Sequence, residues 1–176
     1  MIYNYLLEGQ ETDRLFFRKL QRTDFEAWLG FHQDKRTSEF WNGIPDNPQV
    51  ACEQDFARTF YRYQNNLGGK QAVILKSTTE LIGLSGLLVQ KVDGVQEIEI
   101  AYSLLSEYWG KGYASEAAEM CRRYGFEHLG VTSLISIIQV DNVPSQKVAL
   151  QTGMFLEKMT EYGGNEVYIF RINRTI

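Results

Sequence analysis

The chain has 176 residues, 44% of them apolar and 13% aromatic, the size and composition of one folded domain with a substantial core. Its 22 acidic residues against 18 basic ones leave a formal charge of −4, so it lacks the basic face that nucleic-acid binding needs. Two distant cysteines, Cys52 and Cys121, exclude a disulfide framework and a Cys-x-x-Cys metal or redox motif. No basic, apolar leader opens the chain and no apolar run approaches the roughly 20 residues of a membrane span. With only three prolines, no repeat and no low-complexity tract, the expectation is a single soluble cytoplasmic domain over residues 1–176, without membrane or nucleic-acid partners and without a metal.

Arg14 to Leu20 reads as a first strand. Thr23 and Glu26 have capping-box spacing, which predicts a helix behind them with Phe25, Trp28, Leu29 and His32 on one face. The stretch from Trp41 to Pro48 is dense in turn residues and predicts a loop, after which a second helix runs from about Val50 to Asn65 and ends at Gly68-Gly69. Three extended segments follow, at about 71–76, 81–90 and 96–104, the last two joined by the hairpin signal Asp93-Gly94. Ala114, Ala117, Ala118, Cys121, Gly125 and Leu129 then recur at helical spacing. Val131 to Val140 reads as a buried strand, a short helix begins near Pro144, and strands at about 154–161 and 166–173 flank Gly163-Gly164-Asn165. The order is β-α-α-β-β-β-α-β-α-β-β, an α/β chain with a mixed sheet.

The stretch that carries most chemistry is Glu107-Tyr108-Trp109-Gly110-Lys111-Gly112-Tyr113-Ala114-Ser115-Glu116, a glycine-rich turn leading into the long helix. Gly110 and Gly112 let the backbone approach a ligand with its amides outward, and the helix terminus adds its positive dipole end. An anion, above all a pyrophosphate, suits such a turn, although an isolated Gly-x-Gly is also an ordinary strand-to-helix connection. The spacing is not that of a Walker loop. A dinucleotide fingerprint would need a third glycine at Ser115 and a nearer acid than Asp141. Kinase elements are missing as well. The ligand class left is a phosphate-bearing molecule that is neither a nucleoside triphosphate nor a dinucleotide.

This loop, together with Thr12-Asp13-Arg14-Leu15, Leu81-Ile82-Gly83, Glu99-Ile100-Ala101-Tyr102, Asn142-Val143-Pro144-Ser145 and Gly153-Met154-Phe155-Leu156, resembles the GNAT N-acetyltransferase superfamily. Within it, the likeness is to the branch of ribosomal-protein N-terminal acetyltransferases (RimJ/RimL-like), and it extends over nearly the whole chain. It implies a mixed, mostly antiparallel sheet flanked by helices, with the fourth strand splayed from the fifth near Ala101 to Leu105. It also implies acetyl-CoA as co-substrate. The amides of Gly110, Lys111, Gly112, Tyr113, Ala114 and Ser115 would hold the pyrophosphate, beside Trp109, with Lys111 or Lys147 assisting. Tyr102, Ser103 and Leu104 would flank the thioester, their amides stabilising the oxyanion. Asn142 and Ser145 match the family positions that touch CoA, and Asn142 also reads as a plain helix cap.

The implied reaction is attack of a neutral amine on the thioester, which needs a base. Glu99 matches the family's glutamate on the fourth strand. Glu97 shares its face by the period of two, and Glu161 is a third candidate from the sixth strand. A strong acid is dispensable because a thiol has a pKa of about 8.5. Many members place a tyrosine seven residues after the motif asparagine, but here Ala149 stands there, and Ser145 is the donor the branch suggests. Two more departures, Trp109 for the usual Arg or Gln and Ala101 for a frequent glycine, leave every backbone amide in place.

Acceptor choice falls to the first two helices, their loop and the last hairpin, which offer His32, Phe40, Trp41 and Tyr162 with Gly163-Gly164-Asn165. The acidic balance suits a cationic amine. An α-amine ionises at about 7.7–8.0 against about 10.4 for lysine, which favours a protein N-terminus, such as that of a ribosomal protein, with a weak base. A polyamine, amino acid or aminoglycoside is the alternative acceptor, and a non-catalytic acyl-CoA-binding domain the alternative class. A monomer and a homodimer are equally open.

Overall fold

In the computed structural model, which describes residues 2–176, strands form where apolar runs are bounded by turn residues. They are β1 (Leu15–Arg18), β2 (Gln71–Leu75), β3 (Leu81–Val92), β4 (Val95–Leu104), β5 (Ser133–Gln139), β6 (Phe155–Tyr162) and β7 (Asn165–Asn173). The helices are α1 (Phe25–Gln33), α2 (Lys35–Ser38), α3 (Pro48–Gln64), α4 (Tyr113–Glu127) and α5 (Val143–Gln151). All seven strands join one sheet in the order β1-β2-β3-β4-β5-β7-β6. Every neighbouring pair is antiparallel except β4 with β5.

The order of elements follows the sequence pattern with one addition. Helix α2 has four residues, too few to show an apolar period, and starts where the Asp34 side chain accepts from the Arg36 amide. The first helix also opens differently from the expected Thr23–Glu26 box. Asp24 takes the role of the acid, accepting from the Gln21 amide at 2.8 Å and from both terminal nitrogens of Arg18, around a 3-10 turn at Arg22–Asp24. The guanidinium on β1 thus decides which acid anchors the turn, a partner that local spacing does not reveal.

The two faces of the sheet bury different groups. Leu87, Ile100 and Leu104 pack with Ala117, Ala118, Cys121 and Tyr124 of α4 on one side. Ala72, Ile74 and Leu84 pack with Trp28 of α1 and with Cys52 and Phe56 of α3 on the other. Further along that second face, Val92, Ile135, Ile137, Val167 and Ile169 form a smaller cluster against which Trp41 and Tyr162 lie.

Between α1 and α3 the buried Asp55 carboxylate accepts from Trp28 Nε1 at 2.9 Å and meets His32 Nε2 at 3.3 Å and Lys70 Nζ at 3.4 Å. Burial disfavours its charge, but Lys70 and the hydrogen bonds from His32 and Trp28 outweigh burial and hold the carboxyl below the usual carboxylate range. Its contribution to stability is complete above the unfolded carboxylate's pKa of about 3.9 and fades as the pH falls below it. Asp55→Asn, which leaves Lys70 and His32 facing a neutral amide, is expected to cost about 3 kcal/mol at neutral pH in chemical denaturation, with the difference from the parent shrinking in acid.

Candidate active site

Strands β4 and β5 meet in a single register pair, Glu99 with Ile135. One step beyond it the Ser136 hydroxyl, rather than a strand amide, donates to the Ile100 carbonyl at 2.7 Å, and the two strands part. The opening therefore starts at Glu99 and runs towards Leu104. The backbones of β4 alternate along it. The Leu105 amide donates to the Ile82 carbonyl of β3, so by strand alternation Ser103 also turns its main chain to β3. Tyr102 and Leu104 turn theirs to the gap. Of the three residues expected to flank a thioester, two present their amides to the opening, and Ser103 belongs to the β3 ladder.

Side chains bridge what the ladder leaves. Trp109 Nε1 donates to the Leu104 carbonyl at 3.0 Å, and the Tyr102 hydroxyl donates across the gap to the Ser145 carbonyl at 2.7 Å. Ser145 lies half-buried in the first turn of α5, where its amide is capped by Asn142 Oδ1 at 3.2 Å. Asn142 is thus a helix cap standing at the same opening. Ala149, one of the positions where the family pattern departs, is buried and brings no hydroxyl.

The glycine turn ends at Gly112, the N-cap of α4, with φ of 81°, and Gly110 has φ of 73°. Both conformations are left-handed, which glycine adopts without strain. The first-turn amides of Tyr113, Ala114 and Ser115 precede the first helical bond, from the Glu116 amide to the Gly112 carbonyl, and so remain available to an anion. The turn is held from outside. Arg14 donates from NH1 to the Lys111 carbonyl at 3.0 Å and from Nε to Glu116 at 2.7 Å, while its guanidinium covers the Tyr113 ring at 4.4 Å. Thr12 and the Arg14 amide also donate to Glu116, whose charge these bonds stabilise against burial. The Ser115 hydroxyl donates to Gln151 of α5 at 2.7 Å, while Lys111 and Lys147 are exposed.

The three candidate glutamates part company. Glu99 is buried, and its Oε2 accepts from Gln90 Nε2 at 2.7 Å. Burial pushes its pKa up, and Gln90, Arg62 and Lys70 only partly reverse this. Glu97 is engaged by Arg171 of β7 at 2.6 and 3.1 Å. Glu161 is exposed, on the opposite side of β6 from Tyr162, whose hydroxyl reaches Gln90 at 2.8 Å. Only Glu99 stands at the opening.

The parts named for acceptor choice do converge. Trp41 packs against the cluster of Val92 and Ile135, and the Asn42 amide donates to Asn165 Oδ1 at 2.8 Å, which ties the loop after α2 to the last hairpin. Phe40 is half-buried beside them in sequence, and His32 is taken up by Asp55. Gln90, Arg62, Arg14 and Glu116 have roles that spacing did not disclose. The two-residue turn at Asp93-Gly94 carries a signal for the first of them: it pairs Val92 with Val95 and so sets Gln90 opposite Glu97, on the face of Glu99. Among the described residues no group of three His, Cys, Asp or Glu side chains is placed to hold a metal, and no helix is long and apolar enough to cross a membrane.

Gly112→Glu puts a carboxylate and a strained backbone at the candidate anion site, and is expected to weaken acetyl-CoA binding by about 100-fold or more in a calorimetric titration. An unchanged affinity would remove the turn from the binding site.

The family model described as an acetyltransferase (GNAT) domain matches residues 14–155. The uncharacterized N-acetyltransferase YoaA of Bacillus subtilis is 30% identical over 146 residues, 81% of this chain and 80% of its own length. An acetyltransferase from Agrobacterium tumefaciens superposes with a TM-score of 0.80 at 26% identity, covering 97% of both chains. RimL, a ribosomal L7/L12 alpha-N-protein acetyltransferase solved with coenzyme A, shares the fold at a TM-score of 0.73 and 15% identity, covering 94% of this chain and 97% of its own. A match that runs from the edge strand β1 to the start of β6, on a fold shared end to end, makes this chain a member of the GNAT acetyltransferase family, enzymes that transfer an acetyl group from acetyl-CoA to an amine.

Proposed function

We propose that this N-acetyltransferase acts on the α-amine of a protein N-terminus, ribosomal proteins being the first acceptors to try, with Glu99 as the general base. The observation that carries the reading is the placement of Glu99, a buried carboxylate with its pKa raised, at the point where β4 and β5 part. Acetyl-CoA supplies the acyl group as an activated thioester. The amides at the start of α4 and the Gly110–Gly112 turn suit its pyrophosphate, and the Tyr102 and Leu104 amides are the donors available to negative charge developing at the opening. Ser145, in the first turn of α5, is the hydroxyl assigned to the departing sulfur, a light task given a thiol pKa of about 8.5.

Two features favour a protein N-terminus over a polyamine. A carboxylate base with its pKa raised is better matched to an α-amine, at about 7.7–8.0, than to an alkylamine at about 10.4. Arg62 and Lys70 also act on Glu99 electrostatically, and a second or third positive charge on the acceptor would be brought up against them. The acidic balance of the whole chain is therefore a poor guide to the charge at the base. RimL, whose name states an α-N-protein acceptor, shares the fold and so supports the choice of panel.

Release of free thiol from acetyl-CoA, measured with Ala- and Ser-initiated peptides, ribosomal proteins, spermidine, free amino acids and an aminoglycoside, tests the acceptor. Peptides and ribosomal proteins are expected to turn over fastest. Turnover of spermidine alone would replace the acceptor, and acetyl-CoA binding without turnover of any would leave a binding domain. Glu99→Gln is expected to lower kcat about 100-fold or more with acetyl-CoA affinity retained. In the parent, kcat/KM should rise with pH through the raised pKa of Glu99, because only the carboxylate accepts a proton.

A further inference from the structure

Gln90 of β3 sits among three side chains from three other elements. Arg62 of α3 donates from NH2 to its Oε1 at 2.9 Å, and the Tyr162 hydroxyl at the end of β6 donates to the same oxygen at 2.8 Å. Its Nε2 then donates to Glu99 Oε2 on β4 at 2.7 Å. The direction of this chain is forced. A guanidinium carries donors only, so the amide oxygen, not the nitrogen, has to face Arg62. Arg62 is itself fixed, because its NH1 donates to the Leu67 and Val89 carbonyls at 3.2 and 2.9 Å. The amide nitrogen is left pointing at Glu99, where a donor favours the ionised carboxyl against the pressure of burial.

We propose that Gln90 is a positioning residue for the reaction: its amide, oriented by Arg62 and Tyr162, holds Glu99 as a hydrogen-bond acceptor ready to take the proton of the incoming amine. The proposal rests on Glu99 being the base, and acts through it. The other ionisable groups facing Glu99 are Glu97 on its own strand, which Arg171 of β7 engages, Arg62 of α3, Lys70 ahead of β2, and Tyr162, while Tyr102 leaves β4 on the opposite face. When Gln90 is changed, Glu97 keeps Arg171, Lys70 keeps Asp55 and Arg62 keeps the Leu67 and Val89 carbonyls, while one guanidinium nitrogen of Arg62 and the Tyr162 hydroxyl lose their shared acceptor.

The test is the titration of Glu99 in the full chain carrying 13C at the glutamate carboxyls, with Glu99→Gln assigning the signal. Gln90→Met keeps the volume and removes the donor, and Gln90→Asn is too short to reach. In both, the Glu99 midpoint is expected to rise by about one pH unit, a tenfold change in proton affinity. The acidic limb of kcat/KM for an Ala-initiated peptide should move up with it while acetyl-CoA affinity stays the same. Loss of thermal stability with an unmoved midpoint would overturn the proposal, and if one variant does not fold the other decides. Failure of the base assignment reads out separately. A midpoint that moves while Glu99→Gln keeps full turnover refutes the base and with it the catalytic role of Gln90, whereas an inactive Glu99→Gln beside an unmoved midpoint refutes Gln90 alone.

Discussion

Two neighbouring strands in the middle of a sheet that stop pairing leave main-chain polar groups which each need another partner. Leaving such a group buried and unmatched costs about 1–3 kcal/mol. In this protein side chains answer the demand of two of the carbonyls on β4. Ser136 serves Ile100 and Trp109 serves Leu104, while the Tyr102 hydroxyl spans the gap to the Ser145 carbonyl of α5. The donors on the same edge, at Tyr102 and Leu104, receive no such substitute among the described residues. The asymmetry matters chemically, because an acyl donor needs amides to donate to it and has no use for carbonyls. Of the carbonyls on this edge, those of Ile100 and Leu104 are thus served by side chains, and the Tyr102 and Leu104 amides are left to donate.

The sheet also separates two tasks by face. Tyr102 leaves β4 towards α4 and α5, the side of the glycine turn, and Glu99 leaves it towards α3 and the last hairpin. In the proposed reaction, amine and acetyl-CoA would approach from these opposite sides and meet where the strands part. On the face of Glu99 the Asp55 cluster ties α1, α3 and Lys70 to one buried carboxylate. On the cofactor side the clasp of Arg14 and Glu116 does the corresponding work, using the first strand to brace a turn whose glycines alone would not stay fixed.

How much of this the sequence discloses follows the range of each interaction. The glycine turn, the Asn142 cap and the order of elements along the chain are written in neighbouring residues, and they appear where spacing puts them. In place of the Thr23–Glu26 box, Asp24 accepts from the Gln21 amide three residues earlier and from Arg18 at the end of β1, two local signals competing within one turn. Glu97 and Glu99 are alike by alternation, and what tells them apart, Arg171, lies 74 residues away. Glu161, the third candidate, lies exposed on β6 on the side away from Tyr162. Arg62, Tyr162 and Gln90 meet only after α3, β3 and β6 have been assembled, so no single window of sequence contains their relation.

The link from Asn42 to Asn165 crosses 123 residues and joins the loop after α2 to the last hairpin, the wall proposed for the acceptor. A wall built that way cannot be altered by one loop at a time. Exchange of the loop after α2 for that of a relative also removes the partner of the last hairpin, and exchange of the hairpin strands the loop. Grafted acceptor preference should accordingly travel with the two segments as a pair, and relatives that differ in substrate should differ in both together.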